Sequence, residues 1–318
     1  MQTGWTGGCV VRLMEDYKHT DRYRDSFNRL AHQTFGISFE EWYQRGYWDE
    51  RYICYSYVDR DEVVANVSVS RLQLRSESAC LKACQIGTVM THPEYRGRGL
   101  SAKLMDHVIQ KHEPEADVFF LFANRQVLDY YPRFGFSPVQ ESRFVWNRDG
   151  ECSGLRGAAP PTWRQLDLQH PQDERRLLHA LKSRQPISDR LSVLEHEGIF
   201  MWHALEVFPT GLYYHEQTGQ IWACSHHEGT LHLYDCISPS SGHGRSDHGS
   251  FPELFDELCV LLPGTRRVEF AFTPDKLGLP VYNEPLRGND VLYAKQSRTS
   301  GPAFPEDGPF KYPITAQA

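Results

Sequence analysis

The spacing of apolar residues changes several times along this chain, and each change marks an element. Val10-Val-Arg-Leu13 reads as a short first strand. From His19 to Thr34 the residues Tyr23, Phe27, Leu30 and Ala31 fall on one side of a helix, and Gly36 stands where that helix should stop. Residues 52–58 and 63–73 alternate as two strands joined at Asp59-Arg-Asp-Glu62, and residues 80–91 supply a third antiparallel member. Leu100, Leu104, Met105, Val108 and Ile109 then form a helical stripe, and Val118-Phe-Phe-Leu-Phe122 follows as an unbroken apolar run. Such a run suits a parallel strand buried on both faces. A short helical stretch from Leu128 to Tyr131 and a final strand ending near Trp146 close the first half.

The stretch Asp149 to Pro161 is rich in Gly, Pro and small residues and has no apolar period, which predicts a linker over 151–162 between a first domain, 1–150, and a second, 163–296. The second half repeats the plan in outline. It has a strand near Arg164, a helix from Pro171 to Lys182, a hairpin around Thr218-Gly219 and a strand Leu231-His-Leu-Tyr234, then a helix Phe251 to Leu262 and a strand Val268 to Phe272. Residues 297–318 read as a disordered tail.

The chemistry lies between the third antiparallel strand and the next helix. There the strand stops at Pro93 and the chain runs through Tyr95-Arg-Gly-Arg-Gly-Leu-Ser101. Gly97 and Gly99 permit positive φ, the helix beginning near Gly99 leaves its first amides unpaired, and Arg96 and Arg98 add full charges. Together with the helix dipole this makes a pocket for an anion, most naturally a pyrophosphate. The spacing and lysine of a nucleoside-triphosphate loop are missing. Gly97-Arg-Gly-Leu-Ser-Ala102 formally fits the dinucleotide fingerprint, but Pro93, Glu94 and Tyr95 lengthen the turn, and the next strand ends in Asn124 rather than an acidic residue.

Arg96-Gly-Arg-Gly-Leu-Ser101 instead resembles the Arg/Gln-x-x-Gly-x-Gly/Ala loop of the GNAT superfamily of N-acetyltransferases, with Ser101 departing at the sixth position. Asn124, Tyr131 and Gly135-Phe136 are similar to the family's Asn, Tyr and Gly-Phe segment at full spacing. The resemblance implies an α/β fold whose mixed sheet has two central parallel strands splayed to admit acetyl-CoA. It implies that Arg96, Gly97, Arg98, Gly99, Leu100 and Ser101 hold the pyrophosphate. It further implies that a bulged strand at Val89, Met90 and Thr91 turns backbone amides toward the thioester oxygen, that Asn124 bonds the pantetheine, and that Tyr131 is the catalytic acid for the departing thiolate. In the second half Ser238 to Arg245 has glycines without the Arg-x-x-Gly-x-Gly spacing, so that domain resembles the degenerate partner of tandem family members.

Composition narrows the remaining choices. The 318 residues carry a net charge of −7 with no basic face or arginine-rich tail, which argues against a nucleic-acid partner. No apolar run is long enough to span a membrane and no charged-then-apolar leader is visible, so a cytoplasmic protein is expected. The eight cysteines lack paired spacing and read as buried free thiols. His226, His227, His232, His243 and His248 lack supporting ligands, and no metal is expected. Phe35, Phe39, Trp42, Tyr43, Tyr47, Trp48, Tyr52, Tyr55 and Tyr57 are dense enough to wall an acceptor pocket, with core packing as the alternative. Glu40, Glu41, His92 and Glu94 lie where a general base could stand, though surface solvation accounts for each. The expected function is direct acetyl transfer from acetyl-CoA to a primary amine of a small molecule or peptide. The alternative is a non-catalytic acyl-CoA-binding or regulatory protein. A homo-oligomer is left open.

Overall fold

The computed structural model describes residues 3–6, 9–76, 79–148, 162–238, 250–297, 304–305 and 307–318. The linker expected at 151–162 lies outside the described residues except for Thr162. The chain begins with β1 (Thr3–Thr6), β2 (Cys9–Glu15), α1 (Asp21–Phe35), α2 (Glu40–Gln44), β3 (Tyr52–Asp59), β4 (Glu62–Arg75) and β5 (Cys80–Thr91). It continues through α3 (Leu100–His112), β6 (Val118–Asn124), β7 (Ser137–Val139) and β8 (Ser142–Asn147). From Thr162 onward come β9 (Trp163–Gln165), α4 (Pro171–Ser183), β10 (Ser192–Leu194), α5 (Glu197–Glu206), β11 (Leu212–His215), β12 (Ile221–His227) and β13 (Thr230–Ile237). Last are α6 (Phe251–Leu258), β14 (Arg267–Phe270), β15 (Tyr282–Pro285) and β16 (Asp290–Gln296).

Among the described residues the strands form two mixed sheets. The first runs β1-β2-β3-β4-β5-β6-β16-β7, with β10 paired to β4, and the second runs β15-β8-β14-β13-β12-β11-β9. Each contains one parallel pair, β5 with β6 and β13 with β14, and the other pairings are antiparallel. The sheets do not follow the domain boundaries read from the sequence. The strand ending near Trp146 belongs to the second sheet, where β8 pairs with β14 and β15, while β16 from the second half crosses to pair with β6 and β7. The physical reason is edge closure. Without β16, β6 would present a row of unpaired backbone groups beside its apolar side chains.

β6 explains much of the packing around it. Phe119, Leu121 and Ala123 meet Leu104, Met105 and Val108 of α3 in one core. On its other face Val118 and Phe120 meet Leu191, Val193, Phe304, Phe310 and Tyr312. Phe120 lies 5.2 Å from the Tyr312 ring and 5.6 Å from that of Phe304. This corrects the expectation of disorder over 297–318 for the residues described there. Their aromatic side chains, together with Ile199 of α5, cover this face of the sheet, and each buried aromatic contributes roughly 1.5–3 kcal/mol.

The other differences are local. α2 and α5 had no clear periodic signal, α6 is shorter than the reading 251–262, and the stretch near Leu128 to Tyr131 forms two 3-10 turns, Arg125–Val127 and Tyr131–Phe134. Gly36 ends α1 in the left-handed conformation, φ 74°, as its position required.

Candidate active site

The slot forms where β5 and β6 part. Their parallel ladder runs from Ala83 opposite Val118 to Ile86 opposite Leu121 and goes no further. Beyond it β5 continues to Thr91 and β6 to Asn124, each hydrogen-bonded to its outer neighbour, β4 or β16. A wedge therefore opens toward the loop that follows β5.

Pro93–Tyr95 makes a 3-10 turn, and Gly97 and Gly99 follow at φ 75° and 72°. An added Cβ at either glycine would meet nothing within 4 Å, so the loop surrounds open space on that side. Gly99 is the N-cap of α3 and offers no side-chain cap, leaving the first-turn amides available. Leu100 is buried against the α3 core and anchors the turn. Arg96 and Arg98 are exposed; Nε of Arg96 donates to the Thr91 carbonyl and Nη2 of Arg98 to that of Glu94, with the Arg98 guanidinium stacked 4.7 Å from the Tyr95 ring. Among the described residues neither arginine is paired with a carboxylate, so both charges remain free for an anion. Ser101 Oγ accepts from the Tyr130 hydroxyl at 3.1 Å, a use that glycine or alanine would not allow.

On the strand, Ser68 of β4 faces Gly87 and Asn66 faces Met90, so one extra residue is accommodated at Thr88–Val89. Thr88 adopts φ 42°. The bulge thus begins one residue before the expected Val89, Met90 and Thr91. Val89 packs on the slot-side core, whereas the Met90 side chain is buried among Phe27, Phe39 and Trp42 on the opposite face. Any contribution of Met90 to the slot would therefore come from its backbone.

Tyr131 packs in the same core as Leu100, Leu121 and Ala123, with Tyr130 at 5.2 Å and Tyr293 at 6.2 Å between ring centroids. Burial pushes its phenol up to about 12, so it stays protonated at neutral pH. The neighbouring Tyr130 already spends its hydroxyl on Ser101. Asn124 is exposed at the end of β6, and its Oδ1 accepts from the Gln126 amide at 3.0 Å, closing the next turn. Its Nδ2 is the group left for a ligand.

Several candidate positions turn out to be structural. Phe39, Trp42, Trp48 and Tyr52 stack on one another under the sheet, Tyr55 lies in the α3 core, and the Trp42 indole donates to the Gly198 carbonyl. Glu40 is hydrogen-bonded by Arg24, Asn28 and Gln44; burial alone would raise its pKa, but these donors, led by Arg24, hold the carboxyl below the usual range. Glu41 pairs with Arg45 at 2.9 Å, and the His92 ring accepts the Glu94 amide.

Sequence reasoning missed the polar face beneath the slot. Asn66, Ser68 and Ser70 alternate with valines on β4, a pattern that normally puts polar groups in water, yet all three are buried. It also missed residues 312–318. These run to the slot, where the Ala318 oxygen would lie 3.2 Å from a Cβ on Gly87 and accepts from Gln85 Nε2 at 3.3 Å. The VSVS alternation was the one visible signal for the first; the second had none.

Residues 17–139 match the family model described as an acetyltransferase (GNAT) domain. This stretch, under half of the chain, thus carries a GNAT acetyltransferase domain match, and the two-sheet architecture is consistent with tandem GNAT domains. Among solved structures, a GCN5-related N-acetyltransferase from Kribbella flavida is 18% identical, covering 90% of this chain and 71% of that one with a TM-score of 0.52. A conserved protein of unknown function from Enterococcus faecalis V583, a probable N-acyltransferase, is 12% identical, covering 90% and 72% with a TM-score of 0.58. Eis1 from Mycobacterium abscessus is 14% identical, covering 89% and 72% with a TM-score of 0.54. At these identities the likeness establishes the fold alone. No curated protein matches the chain by sequence.

Proposed function

We propose that the protein transfers an acetyl group from acetyl-CoA directly to a primary amine of a small molecule or peptide, in the cytoplasm and without a metal. The observation that carries this reading is the continuity of the site: a splayed parallel pair opens straight into a glycine-arginine loop capping an otherwise uncapped helix. Amides at the start of α3, with Arg96 and Arg98, would hold the pyrophosphate. Leu100 and Ser101 would shape that turn, Asn124 Nδ2 would bond the pantetheine, and the bulge would aim a backbone N–H at the thioester oxygen. Removing one such donor elsewhere lowers turnover on the order of 100-fold.

A neutral amine attacks the carbonyl carbon, a C–N bond forms, the C–S bond breaks, and the sulfur leaves with the electron pair. Tyr131 supplies the proton to that sulfur, and the amine loses one to water. Tyr131 is preferred to Tyr130 because Tyr130 is already bonded to Ser101.

The test is to incubate the protein with acetyl-CoA and a panel of aminoglycosides, polyamines, amino acids and short peptides, following free CoA and acetylated products by mass spectrometry. Tyr131→Phe should lower kcat on the order of 100-fold, as loss of a general acid does, while the Kd for acetyl-CoA is unchanged. Binding without any product would favour a carrier or regulatory role, and no binding would end the CoA reading.

A further inference from the structure

Thr88 occupies a conformation that its sequence does not favour. A β-branched residue at φ 42° is strained, so the surroundings must hold it there. Two buried side chains from the neighbouring strands do so. Asn66 of β4 donates Nδ2 to the Thr88 carbonyl at 2.9 Å, and the Tyr52 hydroxyl of β3 lies 2.9 Å from Thr88 Oγ1.

The Asn66 amide is itself locked. Its Nδ2 also donates to Ser68 Oγ at 2.9 Å, its Oδ1 accepts from Ser56 Oγ at 2.7 Å, and Ser56 is bonded to the Tyr17 hydroxyl at 2.6 Å. Asn66, Ser56 and Ser68 are all fully buried. A buried network whose members are each satisfied has one stable arrangement, because rotating the amide would leave donors and acceptors facing each other.

That arrangement has a directional consequence. In a trans peptide the carbonyl and the following N–H point in opposite directions. With the Thr88 carbonyl drawn to Asn66, the Val89 N–H is turned away from Asn66. Resting on the acetyl-transfer reading, we propose that Asn66, assisted by Tyr52, is a positioning residue. It pins the Thr88–Val89 peptide so that the Val89 N–H donates to the thioester carbonyl oxygen. Asn66 touches no substrate and acts through the backbone.

The experiment binds acetyl-CoA labelled with carbon-13 at the thioester carbonyl to the full chain, without amine, and records the carbonyl stretch by difference infrared spectroscopy. Calorimetry gives the cofactor affinity in parallel. In the wild type the band should be red-shifted from that of free acetyl-CoA. Asn66→Ala should return it toward the free frequency while the Kd changes by less than about threefold, since the pyrophosphate contacts that dominate affinity are untouched. With a substrate amine, kcat should fall about 10- to 100-fold and KM for acetyl-CoA should hold.

Asn66→Ala/Thr88→Gly should recover the shift, because glycine takes positive φ without support. Tyr52→Phe, a milder change, should weaken the shift in part and decides the matter if Asn66→Ala does not fold. A band equally shifted in the wild type, Asn66→Ala and Tyr52→Phe, with cofactor bound to all three, overturns the positioning role and leaves the CoA reading standing. Failure of the wild type to bind acetyl-CoA overturns both.

Discussion

The two sheets contain corresponding parallel pairs, β5 with β6 and β13 with β14, yet only one of them is left open. In the first, the strands part after Ile86 and the helix that follows begins at a bare glycine with free arginines beside it. In the second, Ser250 and Glu253 form a capping box at the start of α6, so the Ser250 and Glu253 amides are satisfied by the chain, with a carboxylate where an anion would sit. The space between the second pair is also bridged. Ile314 N donates to the Ala271 carbonyl beyond β14, and Thr315 Oγ1 donates to Asp235 on β13. Asp235 is buried and bonded twice by Arg184, at 2.6 and 2.9 Å. The comparison teaches that a shared strand arrangement offers room and donors to a ligand only where the backbone donors and the gap are left unspent.

The bridging segment is the first place to break this contrast. Tyr312 is fully buried against Phe120 and Phe122, so Tyr312→Ala should lower stability by about 3–5 kcal/mol, measured by denaturant unfolding. It should loosen both sheets at once.

Acid should act on the same segment. His203 Nε2 bonds the Gln317 carbonyl at 2.7 Å, its Nδ1 is buried without a partner among the described residues, and burial, opposed by that bond, lowers its pKa to about 4. Above the ordinary value of 6.5 both folded and unfolded chains hold the ring neutral, and His203 makes no difference. As pH falls from 6.5 to about 4 only the unfolded chain takes the proton, so stability is lost through that window, roughly 3 kcal/mol for this residue, and levels off below it. His203→Gln, which keeps a donor and cannot titrate, should make the dependence of Tm on pH between those limits shallower, with His112 and His196, also lowered by burial, supplying the remainder.

Gly99→Trp sharpens the contrast from the other side. Filling the open space at that glycine should weaken acetyl-CoA binding on the order of 100-fold, or about 2.7 kcal/mol, by calorimetry with the fold retained by circular dichroism. The smallest effect belongs to the closed helix. Ser250→Ala should cost about 1 kcal/mol of stability and leave cofactor affinity unchanged.

The loop, its helix and the strands on either side were legible because each is written in neighbouring residues. Glycines at 97 and 99 fix positive φ, the 100–109 stripe fixes the helix, and the run at 118–122 fixes a strand buried on both faces. Tyr131 and Asn124 were legible as positions, through resemblance, but not as environments. That Tyr130 spends its hydroxyl on Ser101, and that Asn124 spends its oxygen on a turn, depends on where separate elements meet. The aromatic cluster left two readings open for the same reason. Density of Trp and Tyr in 35–57 is a local property, but whether they line a pocket or fill a core is decided by what packs above them.

By itself the sequence determined most of the elements and the positive-φ turn at Gly97 and Gly99, since these follow from short-range period and backbone stereochemistry, while the loop motif carried the resemblance to an acetyltransferase (GNAT) domain that residues 17–139 match. Tertiary structure alone decided the exchange of β8 and β16 between sheets, the docking of Phe304, Phe310 and Tyr312 and the burial of Asn66 beneath the slot. Those outcomes are contacts between residues far apart in the chain, set by which exposed strand edge or apolar face is left to be covered once the local elements have formed.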